Sequence, residues 1–171
     1  MKILGANSIR VYHVDPKADH DGCMKTFADA CIYIWLDLDT FDSAIQRPGM
    51  LAPLWNVSQY KAYQTVMDVF HKYGNLGGFF VGNEVLTSPD TDVAAPFVKA
   101  AAADMKAYRD GRSSCSFLGA LLVTETDVSQ ARTIARFPSA TLPQMSPASG
   151  PCSRTTLLAA KTVPVLSIPM A

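Results

Sequence analysis

Polar side chains stand at the ends of three apolar runs in this 171-residue chain. Tyr12 follows the first run, Asp37 and Asp39 follow the second, and Asn83 and Glu84 follow the third. In α/β folds, ligands collect at the carboxyl ends of parallel strands, because the loops there converge over the sheet. These side chains are therefore the first candidates for binding and catalysis.

Glu84 is the side chain best suited to acid/base chemistry. It comes directly after the apolar run Phe79–Val81, so we expect it to lie beside a low-dielectric core. Desolvation favours the protonated carboxyl, which is the form that a general acid needs. Asn83 carries an amide that can hydrogen-bond a ligand hydroxyl and hold it in register. The spacing alone, however, favours a simpler interpretation in which Glu84 faces solvent.

The elements that must position these residues alternate between strands and helices. Strand patterns cover Ser8–Tyr12, Ile32–Leu38 and Leu76–Val81, and a weaker one covers Ser116–Val123. The run Ile32–Leu38 is almost continuously apolar, as is typical of a parallel strand buried on both faces.

Three helices are predicted between and after these strands. Asp21 is expected to cap the first helix. The second helix covers Ser58–Tyr73, and the third runs from about Ala94 to Tyr108 with Pro96 in its first turn, where a missing amide costs nothing. The apolar face of the first helix consists of Met24, Phe27, Ala28 and Cys31. The apolar face of the second consists of Tyr60, Tyr63, Met67 and Phe70.

The alternation predicts parallel βαβ units and an α/β fold. Three or four such units make half of a (β/α)₈ barrel or a small open doubly wound sheet, since a complete barrel needs about 250 residues. The composition changes near residue 110, and all six tyrosines lie at or before Tyr108. We therefore divide the chain into an α/β region at 1–110, a candidate further βα unit at 111–135 and an irregular tail at 136–171.

The composition excludes several classes of function. The 15 basic and 15 acidic residues give a formal net charge of zero, so nucleic acid or an anionic membrane surface is not an expected partner. The three histidines show no metal-ligand spacing and the four cysteines form no C-x-x-C pair, so neither a metal nor another cofactor is expected.

Few features of the sequence bear on localisation. The chain opens without an apolar signal segment, and no run reaches the roughly 20 apolar residues of a membrane span. Buried thiols are the default interpretation of the cysteines. The triplet Asn56–Ser58 is an acceptor pattern for N-glycosylation and a weak hint of the secretory route.

Several long motifs between Lys2 and about Asp110 share one register. They are Leu4–Tyr12 followed by Val14–Pro16, Asp19–Lys25, Tyr33–Leu38, Phe80–Val85, Ala94–Ala100 and Asp104–Tyr108. Together they resemble the fungal glycosylphosphatidylinositol-anchored β-1,3-glucanosyltransferases of the cell wall.

The resemblance implies a (β/α)₈ barrel and a retaining double displacement that cleaves β-1,3-glucan and re-joins it to another glucan end. Matched residue by residue, Glu84 is the acid/base and Asn83 is its sugar-binding neighbour. Tyr12 and Asp37 match donor-subsite residues. Asp39 matches less well and is expected to be a rim or packing residue. The resemblance also implies a cell-surface or cell-wall location and a GPI anchor, for which this chain shows no convincing signal.

The resemblance fails at the nucleophile. Nothing in the chain matches the family's Glu-Tyr-Gly-Cys-like motif, and retaining chemistry needs two carboxyls about 5–5.5 Å apart. The other glutamate, Glu125, does not match a nucleophile position, and Asp37 is a poorer candidate. We therefore predict a fragment, such as a truncated gene model, that is inactive alone. The alternatives are a non-catalytic glucan-binding or inert pseudoenzyme fragment and, less favoured, an unrelated small α/β protein.

The same resemblance bears on two of the cysteines. Cys23 matches a family cysteine whose partner has no counterpart in this chain, so it is expected to be a thiol. Cys31 is expected to be a core residue on its helix.

Overall fold

The computed structural model describes residues 3, 5–40, 42–46, 52–86, 89–112 and 120–122, and the statements below concern these residues. Strands and helices alternate along them, as the sequence predicts. The elements are β1 (Ser8–Val11), α1 (Asp21–Asp29), β2 (Tyr33–Asp37), α2 (Val57–Phe70), β3 (Leu76–Phe80), a 3₁₀ helix (Pro89–Ala94), α3 (Ala95–Gly111) and β4 (Ala120–Leu122).

The four strands form one parallel sheet in the order β1-β2-β3-β4. Each strand therefore pairs with the next one along the chain, which is the arrangement of successive βαβ units. The predicted α/β class is confirmed, and β4 confirms a strand within Ser116–Val123. The tail predicted at 136–171 lies outside the described residues.

The two faces of the sheet differ in burial. Ile9 pairs with Ile34 and Val11 with Leu36, and all four side chains are buried. They join one apolar core with residues from all three helices, namely Met24, Phe70 and Met105. On the other face, Arg10 lies in register with Trp35, which is only half-buried. The second face also holds the buried polar side chains of Ser8, Arg10 and Asp37.

Helix α1 differs from the prediction at both ends. Its N-cap is His20, so Asp21 is the first helical residue instead of the cap. The Asp21 carboxylate accepts hydrogen bonds from Lys72 and Tyr73 instead. Ala28 is exposed, and Cys31 lies beyond the helix at φ +56° and is disulfide-bonded. The core position predicted for Cys31 is therefore wrong, because the chain has left the helix before it.

Helix α2 begins one residue earlier than predicted. Asn56 is its N-cap and forms a reciprocal capping box with Gln59, a local hydrogen-bond pattern that satisfies the first backbone amides. The buried face contains Tyr63, Met67 and Phe70 as predicted, whereas Tyr60 is half-buried.

Helix α3 has Pro96 in its first turn, as predicted, and extends to Gly111. Ala101 and Met105 are buried, and Tyr108 is half-buried on the same stripe. None of the helices in the described part of the chain is both long enough and apolar enough to cross a membrane.

Candidate functional site

Arg10 connects the carboxyl ends of three strands. Its Nε donates to Asp37 Oδ1 at 2.8 Å, and its Nη2 donates to Asp37 Oδ2 at 2.7 Å. The same Nη2 donates to Asn83 Oδ1 at 3.0 Å. Arg10 is 8% exposed and Asp37 is 1% exposed, so this bidentate ion pair is almost fully withdrawn from water.

Two aromatic rings flank the same guanidinium. The Arg10 Cζ lies 4.5 Å from the centroid of the Tyr12 ring and 4.3 Å from that of Phe80. Both distances are within the range of cation–π attraction. The structure therefore brings Tyr12, Asp37 and Asn83, three of the four residues predicted from the sequence, onto one arginine side chain.

The sequence predicts no role for Arg10 beyond its place in a strand and in a motif of the family resemblance. The available signal is a charged residue between the apolar Ile9 and Val11 of a short strand, since arginine is almost never fully buried unless it is paired. That signal calls for a buried acidic partner without identifying which one.

Glu84 has a different environment from the other predicted residues. Its side chain is exposed, so the burial expected after Phe79–Val81 is wrong and the solvent-facing interpretation holds. Its φ is +51°, a left-handed backbone conformation that residues other than glycine rarely adopt. Such outliers concentrate at functional sites, where the surrounding structure imposes them.

The turn that carries Glu84 leaves no room for a side chain at Gly82. A Cβ at this position would lie 2.7 Å from Val85 Cγ2, closer than real Cβ atoms approach. The turn is also tied to the core from behind, because the buried Tyr63 hydroxyl donates to the Val81 carbonyl at 2.9 Å. Burial raises the pKa of Tyr63, so this donor stays protonated. Helix α2 therefore positions the Asn83–Glu84 turn.

Asp39 lies deeper than predicted. It is 8% exposed, which contradicts a position on the rim and agrees with a packing position. Its Oδ2 accepts a long hydrogen bond of 3.4 Å from the Asn83 backbone amide. Its Oδ1 is buried and has no hydrogen-bond partner in the described part of the chain.

The two aspartates favour different protonation states. Burial raises the pKa of Asp37 to about 6, and the hydrogen bonds and charge of Arg10 oppose that rise. Burial, and then the nearby charge of Asp37, raise the pKa of Asp39 to about 7. Between these values Asp37 is the ionised partner of Arg10, and Asp39 retains a proton. The carboxyl that keeps its proton to the higher pH is therefore the one that lies one hydrogen bond from the Asn83–Glu84 turn.

Other features of the described residues lie away from this group. No cluster of three or more His, Cys, Asp or Glu side chains that could hold a metal occurs among them. A cavity of about 240 Å³ lies between the loop after β2 and the start of α2, and its lining includes none of Tyr12, Asp37, Asn83 or Glu84.

The comparison with protein families gives a match over residues 1–119 to the family described as Glucanosyltransferase. Among curated relatives, the 1,3-β-glucanosyltransferase gas2 of Schizosaccharomyces pombe is 45% identical over 105 residues, which are 61% of this chain and 22% of that protein. The pH-responsive protein 1 of Candida albicans is 47% identical over 107 residues, which are 63% of this chain and 19% of that protein.

Solved structures give a consistent result. Saccharomyces cerevisiae Gas2p in complex with laminaripentaose matches 80% of this chain with a TM-score of 0.69 and 35% sequence identity. The complex of Gas2p with laminaritriose and laminaritetraose matches 77% of this chain with a TM-score of 0.68. The matched part is 30% and 29% of those chains, respectively.

The chain thus spans less than a quarter of the length of the two curated relatives. The motifs that carried the resemblance lie within the matched residues. Since the family match covers more than half of the chain, this protein belongs to the glucanosyltransferase family of glycoside hydrolases.

Proposed function

We propose that this chain is a piece of a 1,3-β-glucanosyltransferase and that it binds β-1,3-glucan. The observation that carries the proposal is the group around Arg10, where Tyr12, Asp37 and Asn83 contact one guanidinium directly before the Glu84 turn. In support, the related Gas2p forms complexes with laminari-oligosaccharides, which are β-1,3-glucan chains.

In this proposal Glu84 is the acid/base that protonates the leaving glycosidic oxygen. Its exposure leaves the carboxyl accessible to a ligand, and a bound glucan would supply the desolvation that the free chain lacks. Tyr12 and Asn83, which both contact Arg10, would bind the donor sugar. Asp37 would orient Arg10, since both of its oxygens accept hydrogen bonds from that side chain.

We further propose that the four parallel strands correspond to part of a (β/α)₈ barrel. A barrel of this kind places its active site at the carboxyl ends of the strands, where the Arg10 group and Glu84 lie. Successive pairing of each strand with the next is the connectivity that such a barrel requires.

Turnover by this chain alone is not expected. Retaining transfer needs a second carboxylate about 5–5.5 Å from the acid/base. Asp37 is a poor nucleophile, because it is 1% exposed and both oxygens are held by Arg10. Glu125 lies outside the described residues. These observations favour, as a second candidate function, a glucan-binding fragment without catalysis.

The proposal includes the secretory route and the fungal cell surface. It is supported by the disulfide at Cys31, because disulfides persist in oxidising compartments and are rare in the cytosol. The membrane anchor expected from the resemblance would lie outside the described residues.

The test combines binding and product analysis on folded chain with laminaripentaose and its reduced form. Glu84→Gln is the principal variant, and Asp29→Asn is the matched control, since Asp29 is an exposed carboxylate on α1 that pairs with Lys25. We expect saturable binding, no longer or shorter oligomers, and a change in binding only for Glu84→Gln.

Two other outcomes are informative. New oligomers that disappear in Glu84→Gln would show that a nucleophile is present in this chain and would overturn the prediction of inactivity. No binding by folded wild-type chain would overturn the glucan-binding proposal.

A further inference from the structure

The chain contains a single Asn-x-Ser/Thr triplet, Asn56-Val57-Ser58, and the structure places it at the start of α2. Asn56 has φ −140° and ψ 177°, an extended backbone conformation directly before the first turn of the helix. Asn56 and Ser58 are exposed, and Val57 between them is 67% exposed. A bulky group on Asn56 therefore meets solvent.

The hydrogen bonds at the helix start use only part of the Asn56 side chain. Its Oδ1 accepts from the Gln59 backbone amide at 3.0 Å, while Gln59 Oε1 accepts from the Asn56 backbone amide at 2.9 Å. The capping box thus needs the carbonyl oxygen of the side-chain amide and does not need its nitrogen. A substituent on Nδ2 leaves the cap intact, because an N-substituted amide keeps its oxygen acceptor.

Contacts on both sides hold the triplet in place. Trp55 directly before it donates from Nε1 to Asp104 Oδ2 at 2.8 Å. Gln59 directly after it donates from Nε2 to the carbonyls of Ser43 and Ala44. The acceptor amide is therefore presented from a fixed point on the surface.

We propose that Asn56 is an N-glycosylation site that carries one N-linked oligosaccharide. The inference rests on the secretory location proposed above. The donor is a lipid-pyrophosphate-linked oligosaccharide: the Asn56 Nδ2 forms a bond to the anomeric carbon and gives up one proton to a carboxylate base of the transferring enzyme. The bond between that carbon and the pyrophosphate oxygen breaks, and the lipid pyrophosphate leaves. No electron is gained or lost by either partner.

The test expresses the full chain behind a secretory signal in a yeast host, with a second acceptor triplet appended to its C-terminus as a reporter of entry into the lumen. Endoglycosidase H digestion and peptide mass spectrometry give the occupancy of each site. We expect Asn56 to be occupied in wild-type chain and in Ser58→Thr. We expect Asn56→Asp, which keeps the capping oxygen but lacks the amide nitrogen, to lose that glycan. Ser58→Ala, which leaves the Asn56 cap untouched, should lose it too.

The outcomes separate the site from the route. An occupied reporter with an unmodified Asn56 overturns the site and leaves the secretory location standing. If the reporter and Asn56 are both unmodified, the chain does not enter the lumen, which contradicts the secretory location on which the site rests. A glycan that persists at this peptide in Ser58→Ala also overturns the proposal. These results do not affect the glucan-binding test, because that test uses protein produced without glycosylation. In the same unglycosylated protein, equal unfolding midpoints of Asn56→Asp and wild type would verify that the substitution preserves the helix cap.

Discussion

Two clusters in this molecule each combine an arginine, an aspartate and a tyrosine, with the arginine paired to the aspartate and lying over the tyrosine ring. At the strand ends, Arg10 pairs with Asp37 and lies 4.5 Å over the Tyr12 ring. Between α2 and α3, Arg112 pairs with Asp68 and lies 5.5 Å over the Tyr108 ring. The side chains of the first ion pair are 10% and 0% exposed, whereas both side chains of the second are 43% exposed.

The difference in solvent exposure decides what each cluster does. Water and salt screen the pair between the helices, so it contributes little to stability. The pair at the strand ends is withdrawn from water, so each charge depends on the other for its stabilisation, and the loss of either leaves an uncompensated buried charge. Burial also turns the surroundings of Arg10 into a site, because burial and the nearby charge of Asp37 together outweigh the opposing charge of Arg10 and raise the pKa of Asp39. The same residue types therefore give a surface link in one place and a polar site in the other.

The largest expected effect is that of Arg10→Met. Removing the guanidinium leaves the buried Asp37 carboxylate unpaired, which we expect to lower the free energy of unfolding by about 3–5 kcal/mol at pH 8. Urea unfolding followed by circular dichroism measures it. The double variant Arg10→Met/Asp37→Leu is the control and should recover much of the loss. A loss below about 1 kcal/mol would mean that the buried pair behaves like the exposed one.

Asp39→Asn should change the pH dependence of stability. Because the folded-state pKa of Asp39 is raised from 3.8 to about 7, the native state binds more protons than the unfolded state between these values. The contribution of Asp39 to the free energy of unfolding is therefore greatest below about pH 4, and it falls as the pH rises towards 7. We expect Asp39→Asn to flatten this decline and to be more stable than wild type at pH 8 by about 2 kcal/mol.

Urea unfolding at pH 5 and pH 8 checks this prediction, with the exposed Asp42→Asn as the control. Part of the slope should remain in Asp39→Asn, since the pKa of Asp37 is also raised, to about 6. An unchanged slope would show that Asp39 is ionised without penalty in the folded chain.

Tyr63→Phe tests an uncharged hydrogen bond in the buried region, the one from the Tyr63 hydroxyl to the Val81 carbonyl. It removes the hydroxyl that donates to Val81 O and leaves that carbonyl without its donor. We expect a loss of about 1–2 kcal/mol in the free energy of unfolding. We also expect altered amide NMR shifts for Asn83 and Glu84, since the turn starts next to Val81. The matched control is Tyr60→Phe, on the half-buried side of the same helix. Unchanged amide shifts in Tyr63→Phe would show that α2 does not position the Asn83–Glu84 turn through this hydrogen bond.

The smallest expected effect is that of Arg112→Ala. The exposed pair with Asp68 should be worth no more than about 1 kcal/mol, and the difference from wild type should shrink further at about 1 M NaCl. Urea unfolding at low and high salt measures it. The loss in Arg10→Met should depend much less on salt. A large, salt-independent loss in Arg112→Ala would remove the distinction between the two clusters.

The sequence by itself determined the local elements and the family. Continuous apolar runs and helical periodicity are local patterns, so they identified the parallel strands, the helices and the polar residues at the strand ends within a few positions. The motifs around Tyr12, Asp37 and Asn83–Glu84 were sufficient to select the glucanosyltransferase family, which the match over residues 1–119 confirms.

Only the tertiary structure decided the environment of each side chain. Arg10 meets Asp37 across 27 positions and Asn83 across 73, and no local pattern encodes such partners. The burial of Asp39, the exposure of Glu84 and the disulfide at Cys31 likewise depend on elements packed from elsewhere in the chain. Charge and protonation at this site follow from burial and neighbouring groups, and both are properties of the folded chain.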